Sequence, residues 1–269
     1  MPKPCMTNWS RFPPQTREVQ FDEKWAFVGK KEKHCDPEDP ADTKRGDNWD
    51  QVALDPEHRL VGSGVVGKRT AENVEKVGQD FKQRTGGRPL NLLTSDAYPA
   101  YKPAILNAYG TEVVPPRTGK PGRPKAPYKV ASPELRYATV HKTREKGRVV
   151  KVDFRVVFGT VVGVLAALAH SVVSKAINTA FIERHHGTDR NRNARKVRKS
   201  YCFSKNWEVH EAVTYFTLYS YNFCWPVRTL RMKDAEGHWR QRTPAMAAGF
   251  SDYIWTLSEW LTFPGVQRK

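Results

Sequence analysis

With 269 residues, 39% of them apolar, the chain is long enough to bury a substantial core, and a formal charge of +17 excludes an electrically neutral surface. Residues 1–110 carry 17 basic against 16 acidic side chains while residues 111–269 carry 28 against 12, so a near-neutral part precedes one suited to a polyanion. Cys5, Cys35, Cys202 and Cys224 form no Cys-x-x-Cys pair, which excludes a zinc ribbon and a disulfide framework and makes a reducing cytoplasm the expected compartment.

Residues 1–17 are rich in proline and read as an N-terminal arm without the apolar core of a signal peptide. From 19 to 28, Val19, Phe21, Trp25 and Phe27 share one parity, the pattern of a strand. After an acidic loop, strands are expected at 51–54 and 60–66, turned by "DPEHR". Thr70 caps a helix that places Val74, Val77 and Phe81 on one face and stops at "TGGRP". A short strand ending at Asp96, a helix through Tyr101, Ile105 and Ala108, and a strand at 112–114 follow. Three strands, helix, strand, helix, strand is the element order of a ribonuclease-H-like α/β domain.

Residues 115–147, with "PPRTGKPGRPKAPYK", read as a basic extended insertion, either a phosphate-contacting arm or a plain flexible loop. Val150, Val152, Phe154, Val156 and Phe158 then alternate with other residues as in an amphipathic strand. The most apolar stretch, 156–169, is too short to span a bilayer, so no membrane partner is expected. Downstream, "TYFTLYSYNFCW" reads as a closing helix packed on the sheet, with a base-stacking surface as the alternative, and Thr256 and Glu259 match a capping box.

Three carboxylates stand out. Taken singly, Asp22 reads as a solvent-facing strand residue, Asp96 as a helix N-cap, and Glu183 as the partner of a neighbouring arginine on an exposed helix. In that helix Ile177, Ala180 and Phe181 would form the buried stripe, with Thr179, Glu183, His186 and Arg190 on the other face. Taken together, the three lie at ends of elements that such a sheet gathers, and hard oxygen ligands on rigid elements suit two magnesium ions about 3.5–4 Å apart for phosphoryl transfer.

The blocks "DEKWAFVGKK", "SDAYPAY" and "FIERHHGTDRNRNARKVRKSYCFSKNWEVH", with the ending "RTPAMAAGFSDYIWTLSEWL", resemble the bacterial DDE transposases of the insertion-sequence-one family over nearly residues 18–262. The resemblance implies a retroviral-integrase-type mixed sheet flanked by helices, with residues 18–205 as catalytic domain and 206–269 as a helical C-terminal extension. It also implies Asp22, Asp96 and Glu183 as the catalytic, metal-binding triad and Mg2+ as cofactor, with Mn2+ able to substitute. The expected partners are DNA (transposon ends and target), a second copy of the chain on DNA, and an upstream end-binding protein or fused N-terminal region. The expected location is the bacterial cytoplasm, on the nucleoid.

The chain departs from the family pattern at His186, where asparagine is usual, and at Asp189, where an apolar residue is usual. Both bear on local substrate geometry. The 21 residues before Asp22 contain no zinc-ribbon spacing, so end recognition is expected from an upstream product or a frameshifted fusion. Arg184, Arg190, Arg192, Arg195, Lys196, Arg198, Lys199 and Lys205 form a basic run dense enough for phosphate-backbone contact. His185 and His186, adjacent on a helix, face different directions and make a poor zinc pair, and His34 with Cys35 makes a weaker one. A nonenzymatic DNA-binding remnant and a structure-specific nuclease on the same fold stay open as other readings.

Overall fold

A computed structural model describes residues 16–116 and 125–263. Of the expected N-terminal arm only Thr16 and Arg17 fall among them, and the most basic part of the 115–147 insertion lies outside them. Six strands form one mixed sheet in the order β3-β2-β1-β4-β7-β8. β1 (Glu18–Val28), β2 (Gly46–Asp55) and β3 (Leu60–Gly67) make an antiparallel meander, while β4 (Leu92–Asp96) and β7 (Tyr137–Glu145) run parallel to β1. β8 (Arg148–Phe158) closes the edge as the antiparallel partner of β7. This six-stranded mixed sheet flanked by helices is compatible with a ribonuclease-H-like fold.

The parity of β1 decides which helices lie where. Its odd residues Val19 and Phe21 join Val74, Val77 and Phe81 of α1 (Ala71–Arg84) and Ile105 of α2 (Tyr101–Tyr109) in the largest core. The Thr70 hydroxyl accepts the Asn73 N–H at 3.2 Å, which fixes the start of α1. On the opposite face α5 (Trp207–Cys224) sets Leu218 and Tyr221 against Val52, Leu54 and Val61, together with Ile182 of α4 (Ala180–Arg192). The expected closing helix thus shares the core of the sheet. α3 (Val161–His170) packs Val164 and Leu168 on Leu92 of the same face.

Three expectations need correction. The strand read at 112–114 is β5 (Thr111–Val113), which pairs with β6 (Tyr128–Val130) in a separate two-stranded sheet. The strand that completes the main sheet is β7, inside the segment read as an extended loop. "YATVHKTRE" has few large apolar residues, and Ala138 and Thr139 are buried only because strands flank them on both sides. β8 forms as its alternation predicts, but Val150, Val152 and Phe154 stay exposed at the sheet edge. The C-terminal residues add a short hairpin of β9 (Met232–Lys233) and β10 (Trp239–Arg240), then α6 (Pro244–Ala247) and α7 (Leu257–Thr262), the last begun by a formed Thr256–Glu259 capping box. Among the described residues no helix is long and apolar enough to cross a membrane.

Candidate metal centre

Parallel pairing of β1, β4 and β7 sets the middle of β1 and of β7 on either side of the C-terminal end of β4. Phe21 lies opposite Ser95 and Asp96 opposite Val140, so Asp22, Asp96 and Lys142 follow one another across the sheet there. Asp96 is no helix cap: α2 is capped by Ala100 without a side-chain bond, and Asp96 Oδ1 accepts instead from Tyr98 N–H at 3.0 Å. One ligand oxygen from each of Asp22, Glu23 and Asp96 lies within 4.8 Å of the other two.

Glu23 is the member that sequence reasoning passed over. It sits on the apolar parity of β1 with Phe21 and Trp25, where an acidic residue is the anomaly that could have marked it. Its carboxylate accepts from Tyr101 Oη at 2.8 Å and Arg69 Nε at 2.7 Å, and Arg69 is itself stacked 3.9 Å over the Tyr98 ring.

Glu183, on the first turn of α4, is not a member of this group of three, though its charge acts on Asp22. It is ion-paired with Lys142 and accepts the Thr179 hydroxyl at 2.5 Å. Gln20, two residues before Asp22, fixes that turn: its amide accepts Ile182 N–H at 3.1 Å and donates to the Asn178 carbonyl at 2.9 Å. One strand therefore carries both Asp22 and the bond that places Glu183.

The electrostatics are those of crowded, half-hidden anions. Burial, then the charge of Glu183, pushes Asp22 up to about 6 despite the bond it accepts from Glu23 N–H at 2.9 Å. Burial and the charge of Asp96 push Glu23 up to about 7, outweighing Tyr101 and Arg69. Asp96 is raised for the same reasons, burial first and Asp22 next among the raising causes. Glu183 is lowered, because Lys142 and Thr179 overcome its burial. Oxygen-only donors at this spacing fit a hard divalent cation such as Mg2+ or Mn2+.

The helix face prediction for α4 is corrected. The buried residues are Ile182, His185, His186 and Asp189, not Ala180 and Phe181, and Gly187 and Thr188 do not interrupt the helix. Polar residues turn inward because polar partners await them. Lys24 on β1 pairs with Asp189 and, at 3.1 Å, with Asp50 of β2. Lys196 reaches Asp50 at 2.5 Å and Asp189 at 3.6 Å, and all four side chains are buried. Burial works against each of these charges, yet Asp50 and Asp189 hold Lys24 above its usual range and the two lysines hold Asp189 well below its own.

His186 Nδ1 stands 3.3 Å from Asp22 Oδ2. Burial pushes His186 down to about 3, which favours a neutral ring beside Asp22. Neither histidine belongs to a metal-capable group among the described residues, nor does Cys35, a free thiol.

The basic run divides. Arg184, Arg195, Arg198, Lys199 and Lys205 are exposed and Arg190 half-buried, while Arg192 is half-buried against the Trp225 ring at 4.1 Å. Lys196 is sealed in the ion network, which corrects its reading as a phosphate contact.

No protein-family model and no characterised protein matches the sequence. Among solved structures the chain is similar to the Mos1 transposase paired-end complex with left transposon end, at 19% identity and a TM-score of 0.23. That likeness covers 35% of this chain and 32% of that one, so the chain spans about a third of the structure it matches.

Proposed function

We propose that the chain is the catalytic portion of a magnesium-dependent DDE transposase with a ribonuclease-H-like domain, as its resemblance to the insertion-sequence-one family implies, cutting a DNA strand and joining it to a target. The observation that carries this reading is the meeting of Asp22, Glu23 and Asp96 oxygens within 4.8 Å where β1 runs beside the end of β4, with the charge of Glu183 acting on Asp22. Asp22, Asp96 and, once released from Lys142, Glu183 would hold the cation pair. Bound there, the metal supplies charge neutralisation at the reacting phosphate and activation of the attacking oxygen.

The chain's own residues do the rest. Gln20 and the Lys24–Asp189 pair lock α4, which carries Glu183. His186 stands against Asp22, 3.3 Å from its carboxylate, and Arg69 with Tyr101 keeps Glu23 turned toward the group. Arg195, Arg198, Lys199 and Lys205 lie exposed beyond α4 to hold DNA phosphates, with a second copy of the chain and an end-recognising region completing the assembly.

Asp96→Asn keeps size and removes charge. With magnesium and donor DNA bearing the cognate ends, and the end-binding region supplied, it should lose strand cleavage and joining by about a thousandfold or more while DNA affinity changes less than twofold, because binding draws on Arg and Lys elsewhere. A fully active Asp96→Asn sinks the reading. Glu183→Gln and Glu23→Gln, assayed side by side, identify the third ligand by which of them abolishes cleavage.

A further inference from the structure

The flank of α4 opposite Glu183 lines a cavity of about 210 Å³ closed by the β2–β3 turn, the end of α5 and residues 226–229. Phe181, Arg184, His185, Thr188 and Arg192 recur at helical spacing along this wall, about half a turn from Glu183. Arg59 and Arg228 complete the ring, so four guanidinium groups surround one small space that no aspartate or glutamate lines.

Two of the arginines lie over aromatic rings, the Arg59 guanidinium 3.9 Å from the Phe181 ring centroid and that of Arg192 4.1 Å from the Trp225 one. Each nonetheless has a buried Nη1 without an acceptor among the described residues. His185, 4% exposed and on the cavity wall, has neither ring nitrogen bonded. Burial pushes it down to about 3, so it stays neutral and keeps one N–H to offer. Arg59 also holds a left-handed backbone, φ 56°, at the last turn position before β3, which a non-glycine residue adopts at a cost. Buried donors with no acceptor among the described residues, in a space lined by four arginines and no carboxylate, fit an anion with several acceptor oxygens.

We propose that this cavity is a phosphate subsite, filled by one backbone phosphate of a DNA strand running along the flank of α4 away from Glu183. The assignment of that phosphate to DNA rests on the proposed function; the anion site itself does not. Arg184, exposed at the mouth, meets the strand first, and Arg59 and Arg192 present their free N–H groups from the wall.

The test uses the full chain in EDTA, so that no cleavage is read. Inorganic phosphate, titrated against chloride at equal ionic strength, should raise the melting temperature saturably. Arg184→Gln, which alters an exposed side chain, and Thr188→Glu, which puts a carboxylate in the cavity, should each weaken that response about tenfold. For a labelled duplex, Arg184→Gln should lower the slope of log affinity against log salt by about one. A phosphate response that both variants weaken, with an unchanged DNA slope, overturns the DNA assignment and leaves a site for free phosphate. No phosphate response in the wild-type chain, or one that neither variant changes, overturns the subsite outright. Absence of metal-dependent strand cleavage alongside a full phosphate and salt-slope effect defeats the transposase reading and leaves the subsite standing.

Discussion

On the side of β1 that meets α1 and α2, Val19 and Phe21 pack among Val77, Phe81 and Ile105, whereas on the side that meets α4 the contacts of Gln20, Asp22 and Lys24 are hydrogen bonds and ion pairs. Both sides are buried, and they do different work. Apolar packing is non-directional, so α1 and α2 can adjust by small shifts at little cost. The polar side allows no such slack: Gln20 grips Ile182 N–H at one end of α4 and Lys24 grips Asp189 seven residues on, which fixes both the rotation and the height of the helix. Position is what the proposed metal centre would require of Glu183, and directional bonds can supply it.

Breaking the polar side should have the largest effect. Lys24→Met leaves Asp50 and Asp189 to share Lys196, an uncompensated buried charge that should cost about 3–5 kcal/mol in urea unfolding. Lys24→Met/Asp189→Leu restores neutrality around the surviving Lys196–Asp50 pair and should recover more than half of that loss. A double variant as unstable as the sum of the singles would show that the four side chains do not act as one network.

On the apolar side, Ile105→Ala should cost about 3 kcal/mol and Ile105→Val about 1 kcal/mol, by cavity formation alone. Salt dependence of DNA binding should stay unchanged in both. A change there would mean that the two sides are coupled through β1.

A pH titration of metal-free protein sharpens the contrast at the site. Asp22, raised to about 6, and Glu23, raised to about 7, hold their protons more tightly folded than unfolded. Their contribution is therefore fully present below about pH 4 and lost as pH rises through 6 and 7. His185 and His186, depressed to about 3, run the other way, losing their contribution as pH falls from about 6.5. Subtracting Asp22→Asn from the wild type isolates the carboxylate: the variant should gain on the wild type by on the order of 2 kcal/mol between about pH 4 and pH 7.5. Magnesium at pH 7.5 should stabilise the wild type and not the variant. A flat difference curve would show that Asp22 is not held in a crowded, desolvated group.

The smallest effect concerns a local signal. Thr70→Ala removes the acceptor for Asn73 N–H and should cost about 1 kcal/mol, leaving the metal response untouched.

The sequence by itself determined what is periodic and local. Alternation in β1 and β8, the Thr70 cap with the Val74, Val77 and Phe81 stripe, and the Thr256–Glu259 box are each set within a few residues, and each forms as read. Asp96 could also be singled out as a carboxylate at the end of an apolar run, whereas Asp22 and Glu183 drew notice only when taken together with it and with the family resemblance. Only the tertiary structure decided the rest. β7 is a central strand because β4 and β8 flank it, not because "YATVHKTRE" is strongly apolar. Lys196 is buried because Asp50, 146 residues away in sequence, meets it beneath α4, and no local pattern separates it from the exposed Arg195 and Arg198. Glu23 joins Asp96 by the same logic: strand parity assigns it to an apolar face, and the parallel pairing of β1 with β4 is what brings its oxygens to the group. Hydrophobic periodicity is written along the chain, whereas a charge finds its partner across it, and that partner exists only once the sheet has formed.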